Sequence, residues 1–158
     1  MNNQVLFLGI TNFCASRFAE ILFNQMASEQ LLKYQGFSRG VLLKHQQNNL
    51  DPRCIEALDI RGVPLPANFR KPTPLKSPDL ENAACIVLIN PDLEHRIQRS
   101  NKIEDQQILV WDFEDVSSAT PAALFPALEA EVHLLIRRLQ QTPLVDPRSR
   151  PALNQVTG

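Results

Sequence analysis

Residues 9–20, GITNFCASRFAE, hold the side chains whose types and spacing come nearest to a chemical site in this 158-residue chain. An apolar run ends at Gly9, a short polar turn follows, and a helical pattern begins near Ser16. A strand-to-helix turn of this kind gathers unpaired backbone N–H groups in front of a helix N-terminus, which makes a concavity for an anion. Asn12 reads as a turn residue, Ser16 as the N-cap of the helix, and Cys14 as a packed free thiol. A cysteine there would react only if the turn lowered its pKa. The other cysteines, Cys54 and Cys85, stand far from it and from each other, with no C-x-x-C pair. That spacing points to neither a metal site nor a dithiol, and the odd count argues against a disulfide framework. No cofactor is expected.

The elements that must position this turn are legible on either side of it. QVLFLGI is a continuous apolar run of strand length, as expected of a strand buried on both faces. From Ser16 the period changes, with Phe18, Ile21, Leu22, Met26 and Leu31 marking one face of a helix of about four turns. YQGFSRGVL reads as a second strand. LDPRCIEALDIRGV reads as a helix with Asp51 at its start, Pro52 in the first turn and Gly62 past its end, and it turns Cys54, Ile55 and Leu58 inward. The five prolines of PLPANFRKPTPLKSP make that stretch a loop crossing the surface. AACIVLIN and QILVWDF are further strands, with a helix at PDLEHRIQRS between them. A last helix starts near Pro121 and lines up Leu124, Leu128, Val132, Leu135, Ile136 and Leu139. Strands alternating with helices predict a parallel sheet whose site lies at the carboxyl ends of the strands. The domain is expected over residues 1–140, with residues 141–158 as a proline-containing tail that is extended or mobile.

With a formal net charge of −1, the chain carries no global field to draw it onto nucleic acid. Its N-terminal apolar run is far shorter than the roughly 20 residues needed to span a bilayer, so no membrane insertion is expected and the reading is cytoplasmic.

Taken in order, these motifs resemble the low-molecular-weight protein tyrosine phosphatases and the arsenate reductases of the same fold. In that family a strand ends in C-x-G-N-x-C-R-S-P followed by Ala-Glu; here Asn12, Cys14, Ser16, Ala19 and Glu20 fall in register. GFSRG, the helix beginning at Asp51, and AACIVLINPDLEHRI match three further family segments. The resemblance runs from about Gln4 to Leu139. It implies a three-layer α/β/α fold around a four-stranded parallel sheet.

The same register predicts what the site lacks. It places Gly9 at the nucleophilic cysteine, Thr11 at a loop glycine, Ala15 at the phosphate-binding arginine and Arg17 at a proline. Six residues after Cys14, Cys54 and Cys85 stand Glu20, Ile60 and Pro91, so no cysteine heads a C-x5-R motif. Thr11 stands six before Arg17, a rescue pairing that needs the loop to slip. The general-acid position falls on Asp115, with Asp112 as rival, and Ser117 and Ser118 stand where the aromatic wall for a phosphotyrosine ring would be. Arg39, Lys44 and His45 are candidates for the rim, and a branched Thr11 is expected to strain a position that favours positive φ. The anion-binding loop is thus Gly9, Ile10, Thr11, Asn12, Phe13, Cys14, Ala15, Ser16 and Arg17, and no catalytic residue is assigned beyond Asp115. The expected function is that of a catalytically inactive phosphatase-like protein that binds a protein partner and retains a weak phosphate or sulfate site. The alternative is a residual protein-tyrosine or phosphomonoester phosphatase with a non-standard nucleophile. The tail is expected to dock on the partner through Leu144, Val145 and Leu153.

Overall fold

The structure, a computed structural model, describes residues 3–43, 49–66, 70–99, 103, 106–113 and 120–144. Four parallel strands, β1 (Gln4–Gly9), β2 (Gln35–Gly40), β3 (Cys85–Leu88) and β4 (Gln107–Val110), form one sheet in the order β2-β1-β3-β4. The helices are α1 (Ala15–Glu29), α2 (Pro52–Ile60), α3 (Ser77–Asn82), α4 (Leu93–Gln98) and α5 (Pro121–Gln141).

Strand β1 is central and apolar throughout because both its faces are covered. Val5 and Phe7 join one buried cluster with Phe18, Phe23, Leu58, Leu128 and Val132, from α1, α2 and α5. Leu6 and Leu8 join a second cluster with Leu80, Ile86, Leu93 and Ile97, from α3, β3 and α4. The period of two along a strand divides alternate side chains between the two faces, and each fully buried Leu or Phe contributes about 1.5–3 kcal/mol. The result is helices on both faces of a parallel sheet. Chain order reverses at β1, which pairs with β2 on one side and β3 on the other. That topological switch opens a crevice at the strands' carboxyl ends.

Local chemistry explains the helix boundaries. Asp51 caps α2 by accepting from the Arg53 backbone N–H at 2.9 Å, with Pro52 in the first turn. Past its end, Gly62 takes φ +68°. All six residues expected on the inner stripe of α5 are buried.

Three expectations are corrected. Helix α1 begins at Ala15 with Cys14 in the cap position, so Ser16 lies inside the first turn and is not the N-cap. Leu31 lies past the helix end at φ 56° and is 90% exposed, so it does not continue the apolar face. The proline-rich stretch is not wholly a surface loop. It ends in the first turn of α3 with Ser77 and Pro78, and Gly40 exchanges backbone bonds with Thr73 and Leu75 at 2.9 and 2.8 Å, adding a short parallel bridge at the end of β2. Pro74 is tolerated there because a proline costs no ladder bond on a sheet edge.

Candidate functional site

The crevice at the switch point holds a cleft of about 40 Å³. It is lined by residues 9–16 after β1, by Ile89 and Asn90 after β3, and by Phe113 after β4. Four of the loop's carbonyls are engaged by other backbone groups. Gly9 O and Ile10 O accept from Val41 and Leu42 at 3.2 and 2.8 Å, Phe13 O accepts from Asp51 N at 3.0 Å, and Cys14 O accepts from Phe18 N at 2.9 Å. Among the described residues, the backbone N–H groups of residues 10–16 donate to nothing. The loop is therefore wound as a nest of unpaired donors at the N-terminus of a 15-residue helix.

Asn12 holds that winding. It takes the left-handed conformation, φ 55°, that the turn requires, and asparagine tolerates this better than most residues. Its side chain is 1% exposed and uses all four of its hydrogen-bonding positions. Nδ2 donates to Ser16 Oγ at 3.0 Å and Ser38 Oγ at 2.9 Å, while Oδ1 accepts from Arg70 Nη1 at 3.0 Å and Thr73 N at 2.9 Å. Thr11 has no positive φ, so the strain expected there is absent and Asn12 carries the special conformation. Gly40 is required opposite: a Cβ on it would stand 2.9 Å from Asn12 N and from the Thr11 carbonyl carbon, and a backbone neighbour cannot give way.

Gly9 forms the floor of the cleft. An added Cβ would lie 3.0 Å from Ser16 Oγ and 3.1 Å from Ser16 Cβ, so the serine stands close over the small residue. Ser16 Oγ is buried and accepts from Asn12, while its own hydrogen meets no acceptor among the described residues. Cys14 lines the cleft, but its thiol is pushed up to about 12, first by burial and then by the neighbouring Asp51 carboxylate. It stays protonated at neutral pH and is a poor nucleophile. Burial works to raise Asp51, and the hydrogen bonds from Arg53 outweigh it, leaving the carboxyl below its ordinary value. Cys54 and Cys85 are also buried free thiols raised by desolvation.

Arg17 departs most from expectation. Expected as part of the anion-binding loop, it is 1% exposed and does not line the cleft. Its Nη2 donates to Arg70 O at 2.8 Å and its Nε lies 3.9 Å from Glu20 Oε2, while Nε and Nη1 have no hydrogen-bond partner. The pairing of Thr11 with Arg17 over the cleft is therefore not formed. Arg39 does not frame the mouth either; it bonds Asp79 at 3.1 Å and Ser38 O at 2.7 Å and stacks over Phe37. Asp112 is exposed and outside the lining. Asp115, Lys44 and His45, with Ser117 and Ser118, fall outside the described residues. The cleft nevertheless has an aromatic wall, supplied by Phe113 and Phe13.

Sequence reading gave no role to Arg70 or Thr73 and did not join Glu20 and Ser38 to them as the clamp behind Asn12. Arg70 Nη2 donates to Glu20 Oε1 at 2.9 Å and to Ser38 Oγ and O at 2.8 Å. No local signal marks an arginine inside a proline-rich stretch as a loop anchor. Among the described residues, no three His, Cys, Asp or Glu side chains converge as a metal set.

A sequence model of the family described as low molecular weight phosphotyrosine protein phosphatase matches residues 4–121, three quarters of the chain. The chain belongs to this family. Among solved structures it is similar to YfkJ from Bacillus subtilis, at TM-score 0.76 and 16% identity over 87% of this chain and 94% of that one. It is similar to the low-molecular-weight phosphotyrosine phosphatase VcLMWPTP-2 of Vibrio cholerae, at TM-score 0.77 and 16% identity over 89% and 98%. The thioredoxin-dependent arsenate reductase Cg_ArsC1' of Corynebacterium glutamicum aligns at TM-score 0.70 and 19% identity over 87% and 62%. No curated protein sequence matches significantly. At such identities the structural likeness carries the fold. No helix among the described residues is long and apolar enough to cross a membrane.

Proposed function

We propose that this phosphatase-family chain is catalytically inactive, a pseudophosphatase that acts by binding a protein partner and keeps a weak oxyanion site in its loop. The observation that carries this reading is the floor of the cleft. Gly9 stands where the family's register puts the nucleophile, Ser16 occupies the adjoining space, and no guanidinium lines the cleft among the described residues. Phosphoryl transfer through an enzyme cysteine needs a thiolate to attack phosphorus and a cation to hold the charge of the transferring group. Ala15 offers no cation and Cys14 no thiolate. Each loss removes several kcal/mol of transition-state stabilisation, and together they leave background rates. The wound, unpaired N–H loop persists all the same, and such a loop can still hold an anion.

The free donors also favour a second reading, residual hydrolysis of phosphomonoesters with Thr11, which lines the cleft, as nucleophile. An aryl phosphate assay separates the two. The expected result is turnover no faster than buffer. Turnover that survives Cys14→Ala and stops with Thr11→Val would establish the second reading instead.

A further inference from the structure

We propose that the outer edge of β4, with the groove between that strand and α5, docks a second copy of this chain across a two-fold axis. The copies join β4 to β4 antiparallel and lay α5 beside α5, so that one sheet runs through both. The groove shares no lining residue with the cleft after β1, and the inference holds whether or not that cleft binds or turns over anything.

The two edges of the sheet differ. Strand β2 carries Arg39, and at its end Gly40 is bonded to Thr73 and Leu75 with Pro74 between them. Strand β4, QILV, has neither charge nor proline, and among the described residues no strand pairs with its outer side. The N–H groups of Gln107 and Trp111 donate inward to Ala84 O and Leu88 O at 3.3 and 2.8 Å. The alternation of a parallel ladder then turns the N–H and C=O of Ile108 and Val110 outward. An edge left without charge, proline or cover is a template for another strand. Beside it lies a groove of about 270 Å³ lined by the buried Trp111 and Leu135 and the partly buried Leu109. Val110 and Leu134, also in its lining, are 43% and 56% exposed, two of the five large apolar side chains left exposed among the described residues.

The charges of the patch select a second copy as the occupant. Glu131 and Arg138 line the groove on either side of Leu134 along α5, and neither has an ion-pair partner among the described residues. Helix α5 runs back along β4, with Arg138 toward the strand's start, where its charge bears on Cys85, the register partner of Gln107. A two-fold contact matches a patch with the same patch turned end to end. With the axis at Leu109, Ile108 and the partner's Val110 exchange both backbone bonds, and the symmetric pair does the same. The two Leu109 side chains then meet as a non-hydrogen-bonded pair, the closer kind, with the two Leu134 side chains on the same face. Glu131 of each copy faces the partner's Arg138. A parallel arrangement would set like charge against like, so the pattern favours the antiparallel one. A strand of four residues offers few bonds, so the helix contact carries the rest and the dimer is small and reversible.

The experiment measures the mass of the full chain by sedimentation velocity from about 1 μM to about 1 mM, where small interfaces dissociate, with hydrogen exchange at the Ile108 and Val110 amides read alongside. A reversible dimer is expected, with exchange at both amides slowing as concentration rises. Val110→Pro removes an outward N–H and no ladder bond, and Leu134→Lys puts charge into the seam; each should weaken the dimer at least about tenfold. Glu131→Arg and Arg138→Glu should each weaken self-association, because like charges then face each other. Mixed in equal amounts, these two single variants should form a heterodimer tighter than either self-dimer, since every facing pair is again of opposite sign. A monomer at every concentration, a dimer indifferent to Val110→Pro and Leu134→Lys, or a mixture no tighter than the single variants would overturn the inference. Amide protection that does not change with concentration would also overturn it, in favour of a segment of the chain itself on the edge. If Val110→Pro or Leu134→Lys does not fold, the charge variants and their mixture decide.

Discussion

Replacing Asn12 with alanine should cost this domain about 4–6 kcal/mol, because one residue carries both the backbone turn and the polar clamp of the loop. Two of its partners keep other bonds: Ser38 Oγ still receives Arg70 Nη2, and Arg70 Nη1 still reaches Thr73 Oγ1. Those two losses are worth about 0.5–1 kcal/mol each. The other two, Ser16 Oγ and the Thr73 N–H, lose the side chain's bond with no replacement among the described residues, at about 1–1.5 kcal/mol each. Holding alanine at φ 55° adds about 1 kcal/mol. For a domain of this length the sum lowers the melting temperature by about 10–15 °C. Asn12→Gly loses the same bonds but accepts the conformation, so it should recover roughly 1 kcal/mol of the loss. Urea unfolding of both variants measures the two terms separately. A loss under about 1.5 kcal/mol for Asn12→Ala, or a glycine variant less stable than the alanine one, would refute the account of the loop as wound by Asn12.

Rebuilding the family's loop with Gly9→Cys, Thr11→Gly and Ala15→Arg should cost about 1–3 kcal/mol as Ser16 is pushed aside, yet yield a phosphocysteine adduct by mass spectrometry after aryl phosphate. No adduct on a folded triple variant would count against the register that places Gly9 at the nucleophile. Truncation after Gln141 removes Leu144, whose N–H donates to Tyr34 Oη at 2.7 Å and whose side chain packs on the core. A melting temperature lower by about 3–6 °C is expected, and an unchanged one would show that Leu144 is not anchored on its own domain. Because burial raises the folded pKa of Cys14 and Cys85 to about 12, they contribute stability fully below the ordinary thiol pKa and lose it as pH rises beyond. Urea midpoints should therefore fall between about pH 8.5 and 10.5, and Cys85→Val should shallow the fall; a flat profile would contradict it.

The sequence by itself determined the architecture and the place in it of the loop between β1 and α1. Runs such as VLFLG and CIVL are apolar without alternation because both faces of a parallel sheet are covered, and that requirement is written residue by residue. Asp51 with Pro52 starts a helix wherever it falls, since the cap bond and the fixed φ are local. The absence of cysteine at position 9 and arginine at position 15 is likewise a fact of composition in register. What a side chain touches across long separations was decided only by the tertiary structure. Arg70 clamps Asn12 from 58 residues away, through a proline-rich stretch whose local pattern says only that it is not a central strand or helix. Phe113 supplies an aromatic wall because β4 ends beside the loop, not because of any motif around it. Leu144 lands on Tyr34 across 110 residues, where the tail's proline-rich composition had pointed to a partner's surface. Arg17 looks like any exposed first-turn arginine until Arg70 and Glu20 close over it. Burial and charge balance are sums over neighbours that the fold assembles, and a local pattern carries no record of those neighbours.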